Sequence, residues 1–400
     1  MSNTIGKDAR SYRLTNIDFL RGLVIVIMAL DHVRDFFNSG ALSDPMNQPD
    51  VPASLYVTRW VTHFCAPTFI FLAGTSAGLM IARKTPGELG SFLWKRGLWL
   101  IFVEVAIITT AQTFSPLGME EFGGALFVIL QVIWAIGMCM VLLAAAQFMG
   151  PRLCLYLGLL IVIAHNALDP LWPTPVMESG DASFWAFLFY QGSILVGPVF
   201  ILIIYPVFAW FGVMLLGFGS AFIFEKEPRE RDALLLKIGL ISVAVFIVLR
   251  ASNFYGDANT WQVQEQGAVA SILDFMNVSK YPPSLMFLLA TLGPMAILCS
   301  RADRLGGWVK DTLVMFGRVP FAFYVAHVYL IHLLAMGFGV IQGYSADLFM
   351  TGYLFFPEDY GTGLTGVYLV WVLVIALLYP LCKWMAGVKQ RRKDWWLSYL

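Results

Sequence analysis

Apolar residues in this chain come in long runs separated by short polar clusters, the pattern of a protein that crosses a bilayer many times. A spanning helix needs roughly 20 predominantly apolar residues. That ruler places ten spans, with cores near 17–36, 57–82, 93–113, 123–147, 152–169, 196–224, 234–252, 280–300, 312–340 and 364–386. The apolar stretch from Phe184 is overlong and broken by Pro198 and Pro206, so part of 184–198 is expected to be re-entrant or interfacial. The polar segment before the first span is too long for a secretory leader and no small-residue cleavage site follows, which reads as an uncleaved helix. The expected fold is all-α: a polytopic membrane protein whose single domain covers 1–400, with short tails at 1–15 and 388–400.

Composition supports this picture. Apolar residues make up 58% of the chain and charged residues 13%, against roughly 25% charged in a soluble domain. The 26 Lys and Arg balance the 26 Asp and Glu, so the basic excess that nucleic-acid binding requires is missing. Five isolated cysteines (Cys65, Cys139, Cys154, Cys299, Cys382) show no ligand spacing, so neither a disulfide framework nor a metal site is expected. The loops alternate in charge. Lys7, Arg10, Arg13, Arg83, Lys84, Lys95, Arg96, Arg152, Lys226, Arg229, Arg231, Lys237, Arg301, Arg304, Lys310, Lys389, Arg391, Arg392 and Lys393 fall on one side. The other side is mainly acidic, with Asp44, Asp50, Glu120, Glu121, Asp169, Glu178, Asp181, Asp347, Glu358 and Asp359, and holds only Arg34, Arg59, Arg250 and Lys280 as cations. Cytoplasmic loops carry the Lys/Arg excess, which predicts that both termini face the cytoplasm.

Charged residues within a span are costly unless they meet a cavity or a partner. The first span carries Asp18 and Arg21, three apart on one helical face and spaced to pair. His32 lies fourteen residues beyond Asp18 on the same face, about 21 Å along the helix at 1.5 Å per residue. This one stripe therefore offers polar groups at both membrane surfaces, with Asp31, Arg34 and Asp35 beside His32. A structural ion pair at one end and a snorkelled histidine at the other account for the pattern equally well. His63, His165, His327 and His332 also fall in the middle or outer half of the membrane, and Arg59 shares a face with His63. Together they suggest an outward-facing polar cavity, with His165 the one read as structural. Glu104, Gln112 and Gln131 are further polar intrusions. Gly74, Gly78, Gly212, Gly217 and Gly219 read as small-residue helix contacts.

The opening motif, Asp18-x-x-Arg21-Gly22 followed by His32, resembles the first helix of the transmembrane acyltransferase superfamily. Within it the chain is most similar to the bacterial heparan-α-glucosaminide N-acetyltransferase-like family. The blocks RLTNIDFLRGLVIVIMALDHVRDFF, THFCAPTFIFLAGTSAGL, FAWFGVMLLGFG, NVSKYPPSLMFLLATLGP, GRVPFAFYVAHVYLIH and KQRRKDWWLSYL carry that likeness in order along nearly the whole chain. The resemblance implies an acyltransferase that moves an acetyl group from cytoplasmic acetyl-CoA to an acceptor, a sugar or glycan, on the outer face. It also implies residence in the bacterial inner membrane among lipids, and it admits a homo-oligomer. Two departures matter. The lysosomal relative has asparagine at the position of His32 and an acidic residue at that of His63. Its histidine lies in the loop after the first span, and the corresponding loop here, 36–56, contains none.

The histidine role therefore passes to His32 or His63, with His32, oriented by Asp31 or another carboxylate, taken as the base and His63 as second acid/base or oxyanion donor. Asp18, Arg21 and Arg318, with Lys95 and Arg96, are the expected donor-binding residues. Arg59, His327 and His332 are expected in the substrate cavity. The rival readings are a histidine-lined proton-coupled transporter or permease and a non-enzymatic membrane scaffold.

Overall fold

The helix that carries the opening motif, α1 (Thr15–Phe37), runs through the interior of the protein and packs against elements from most of the chain. A computed structural model of the chain describes residues 15–39, 46, 51–172, 180–392, 394 and 397. Lys7, Arg10, Arg13, Asp44, Asp50, Glu178 and Lys393 lie outside the described residues.

After α1 come α2 (Ala53–Val61) and α3 (Cys65–Met80), joined by a 3-10 turn into one helical segment. Next is α4 (Pro86–Phe102), which continues through a π-helical turn at Val103–Ile108 into α5 (Thr109–Thr113). Strand β1 (Leu126–Leu130) leads to α6 (Val132–Ala146) and α7 (Pro151–Ala164). The hairpin β2 (Gly192–Val196) and β3 (Val199–Ile203) precedes α8 (Val207–Gly219) and α9 (Pro228–Ser252). The last third holds α10 (Ala268–Met276), α11 (Leu285–Arg301), α12 (Trp308–Arg318), α13 (Pro320–Ile341) and α14 (Leu364–Arg391). Among the described residues, 8 helical segments are long and apolar enough to cross a membrane. The 23-residue α1 and the continuous run from α4 to α5 are not among them.

The expectation of a purely helical fold needs correction. β1 pairs parallel to β3, and β2 pairs antiparallel to β3, forming a three-stranded sheet. The expected spans 123–147 and 196–224 therefore begin as strands, and 184–198 contains β2. Hydropathy cannot separate a short apolar strand from the start of a helix. The distinction lies in the flanking residues: Gly123 and Gly124 at φ +64° and +79° before β1, and Gly197 at φ +57° in the two-residue hairpin loop. The expected span 312–340 is likewise two helices, because Pro320 takes the first position of α13 and Val319 breaks the run after α12.

Glycine sets the closest helix crossings. A methyl group on Gly22 of α1 would lie 1.7 Å from the carbonyl oxygen of Leu313 on α12, and one on Gly317 would lie 1.8 Å from that of Asp18. The backbones touch here, which brings Arg318 beside the Asp18–Arg21 pair. α3 and α8 cross in the same way, with Gly74 against Met214 and Gly217 against Phe71. The small-residue contacts expected from the sequence are thus real packing sites.

Because the Gly22 contact is with backbone, no rotamer change can relieve it. Gly22→Ala is expected to cost about 1–3 kcal/mol by overpacking and to lower the thermal midpoint in detergent. Gly87→Ala, where no atom lies within 4 Å of the added carbon, should leave the midpoint unchanged. Equal midpoints for the two variants would contradict this crossing.

Candidate active site

Two cavities approach each other along α1. The one at its C-terminal end has a volume of about 270 Å³ and is walled by Asp31, His32, Arg34 and Asp35 of α1, by Arg59 and Thr62, and by Lys280 and Tyr281. Phe127 and Ile129 of β1 and Leu202 of β3 close another side. Residues on a strand point alternately to opposite faces. Accordingly Leu130 and Ile203 point away from the cavity into a second apolar cluster with Ala186 and Tyr190.

Asp31 organises this cavity. Arg59 donates from Nη1 to both carboxylate oxygens, at 3.2 and 3.1 Å, Arg34 approaches to 3.0 Å, and the Lys280 ammonium lies at 3.9 Å. Arg34 is also bound to Asp35. Three cations from separate chain segments thus share one carboxylate. Their supports are equally local. Arg250 donates to the carbonyls of Asp274 (3.1 Å), Phe275 (2.9 Å) and Asn277 (2.8 Å), and Trp60 donates to Met276 (3.1 Å). These bonds satisfy the carbonyls at the end of α10 and fix the strand of chain that delivers Lys280.

His32 lines the cavity at the C-terminal end of α1, its ring centroid 5.1 Å from that of His327. Asp31 is engaged by cations rather than by the neighbouring imidazole, so the expected orienting bond from Asp31 to His32 is not formed among the described residues. The remaining histidines surround the cavity without lining it. His63 is buried against Phe287, at 5.3 Å, with Nδ1 3.2 Å from the Arg59 carbonyl. His332 is fully buried, stacked on Phe114 at 3.9 Å and set between the carbonyls of Ala111 (2.8 Å) and Phe349 (2.7 Å). His165 reaches the Pro283 carbonyl at 2.7 Å, a cross-brace of the kind expected of it. Of the three residues expected in the substrate cavity, only Arg59 is on its wall. His327 and His332 stand behind it, because their helical faces pack into the protein interior.

The second cavity, about 330 Å³, opens at the other end of α1. Its wall carries Asp18, Arg21, Arg96, Arg318 and Lys389. The expected pair is present, with Arg21 3.5 Å from Asp18, and Arg21 also donates to Ser76. Arg318 Nε is buried without a hydrogen-bond partner, whereas the Arg318 carbonyl accepts from Lys389 at 3.3 Å. A cavity with four cations and one carboxylate suits a polyanionic ligand. Met28, Phe69 and Val132 line both cavities, so an apolar constriction one side chain thick separates them. Sequence reasoning missed Lys280, Lys389 and this constriction. For Lys280 a signal existed: a lone lysine in loops that are otherwise acidic.

Removing Asp31 would leave buried cations uncompensated, which is strongly destabilising. Asp31→Ala is expected to lose about 3–5 kcal/mol, read as a large fall in thermal midpoint, with Asp31→Asn intermediate. A variant that melts with the wild type would show that the carboxylate is not the structural hub of this cavity.

No curated protein matches the chain. Residues 13–255 match the family profile described as heparan-alpha-glucosaminide N-acetyltransferase, catalytic. The matched region includes α1, the helix that carries both cavities, together with the sheet and α8 and α9. A match over more than half of the chain, α1 included, makes this protein a member of the heparan-alpha-glucosaminide N-acetyltransferase catalytic-domain family.

Proposed function

We propose that this membrane acetyltransferase takes its acetyl group from acetyl-CoA on the cytoplasmic side and delivers it to a saccharide acceptor at the outer face. The reading includes ten spans, the 8 apolar segments plus α1 and the α4–α5 run, with both termini cytoplasmic, in a bacterial inner membrane. The observation that carries it is the pair of cavities that meet at Met28, Phe69 and Val132. A donor with a phosphorylated head and a long thin arm fits this shape. The phosphates would meet Arg21, Arg96, Arg318 and Lys389, and the thioester would reach the constriction.

On the outer side the acceptor enters a cavity whose walls hold Asp31, Arg59 and Lys280 as fixed charges. His32, the histidine on that wall, is the base that removes a proton from the attacking amine or hydroxyl. The charges around it are held by one another, so they need not reorganise as the reaction proceeds. His63, packed against Phe287, is assigned a structural role in this scheme.

Two outcomes test the reading. With glucosamine as acceptor probe, His32→Ala is expected to slow acetyl transfer by about 10²–10⁴-fold while acetyl-CoA still binds and His63→Ala stays the more active variant. Normal turnover of His32→Ala would overturn the assignment. Arg318→Ala should weaken acetyl-CoA binding by about 10–100-fold, the loss of a charged hydrogen bond, read by calorimetry. Unchanged affinity, or substrate flux through vesicles without dependence on acetyl-CoA, would favour a transporter instead.

A further inference from the structure

The reaction proposed above separates two events in space. The acceptor loses its proton at His32 in the outer cavity, and the leaving sulfur needs a proton on the other side of the constriction. Met28, Phe69 and Val132 carry no group that could pass one. Beside them, however, run two polar side chains of α13 that the scheme has not used.

His327 is fully buried, and its Nδ1 faces the backbone carbonyls of Phe323, at 3.2 Å, and Tyr324. A nitrogen between two acceptors carries the hydrogen, which leaves Nε2 as a lone-pair acceptor. Nε2 has no partner among the described residues. One turn earlier, the Tyr324 hydroxyl is also buried and without a partner. A buried unsatisfied polar atom costs about 1–3 kcal/mol, so two of them, adjacent and inside the membrane, call for a function. Their positions supply it. The His327 ring lies 5.1 Å from that of His32, which lines the outer cavity, and 5.4 Å from that of Tyr324, which lines the inner one.

We propose that His327 and Tyr324 form a proton bridge past the apolar constriction, carrying the acceptor's proton from His32 to the departing sulfur of CoA. The inference rests on the acetyl-transfer reading. As the acceptor nitrogen or oxygen bonds to the acetyl carbonyl carbon, its proton moves to His32. The carbon–sulfur bond breaks and its electron pair leaves on sulfur. Tyr324 gives its hydroxyl proton to the thiolate and regains one from His327 Nε2, which has taken the proton held by His32. Each transfer is direct or passes through one water. One proton has moved from acceptor to thiol, and all three side chains are restored. In this scheme Tyr324 is a catalytic acid, and His327 is a relay that touches neither substrate.

Tyr324→Phe is the cleanest test, because it deletes an unpartnered hydroxyl and nothing else. A purely structural tyrosine predicts unchanged transfer and an unchanged or higher thermal midpoint. The bridge predicts an equally unchanged or higher midpoint and the same acetyl-CoA affinity, but a kcat lower by about tenfold or more with glucosamine. His327→Gln keeps an amide that can still donate to the Phe323 and Tyr324 carbonyls. It should likewise lower kcat without changing KM for acetyl-CoA, and should abolish the pH dependence of kcat that titration of the relay imposes. Wild-type kcat and pH profile in both variants, with the wild type active and His32→Ala impaired, would overturn the bridge and leave the acetyltransferase reading intact. Failure of the wild type to transfer acetyl at all would overturn both.

Discussion

The half of this protein around the C-terminal end of α1 depends on one buried carboxylate. Asp31 sits where Arg34, Arg59 and Lys280 converge, and each cation arrives on a different element: α1, α2 and the loop before α11. Taking four charges out of water is costly, and their mutual attraction offsets the cost only when the geometry is well held. Arg250 and Trp60, donating to the carbonyls that end α10, provide that hold from behind. The charges define a rigid polar chamber in a region where lipid would otherwise exclude them. His32 stands at its edge.

The half around the N-terminal end of α1 is organised by contact rather than by charge. Gly22 and Gly317 let α1 and α12 meet backbone to backbone, and this draws Arg318 onto the cavity that already holds Asp18 and Arg21. One helix therefore serves both chambers: its N-terminal end is positioned by van der Waals contact, its C-terminal end by ion pairing. Met28, Phe69 and Val132 line both chambers and form an apolar constriction where they meet.

The three-stranded sheet gives the chamber around Asp31 a further wall. In a membrane protein such a sheet is tolerated where its backbone groups are paired and it lines a cavity. Here β3 pairs on both sides, with β1 and with β2. Its two faces divide the work, Leu202 with Phe127 and Ile129 toward the cavity, and Ile203 with Leu130 toward a separate apolar cluster.

The chain's sequence was sufficient for the membrane class, the approximate positions of the helices and the polar stripe of α1, because these follow from runs of apolar residues and from 3.6-residue periodicity, both local properties. The Asp18–Arg21 pair and the glycine crossings at Gly74 and Gly217 were legible for the same reason. Three features were not. Leu126–Leu130 and Val199–Ile203 are as apolar as any helix start; the glycine turns beside them, the local hairpin with β2, and pairing with each other across some 70 residues made them strands. His63, His327 and His332 share a depth with His32, but depth does not say which way a side chain faces; packing against Phe287, Tyr324 and Phe114 decided that. Asp31 was adjacent to His32 in sequence and was assigned to it. The tertiary fold gave it to Arg59 and Lys280 instead, because a buried carboxylate is stabilised by whichever cations the fold brings within reach, and sequence distance does not determine that.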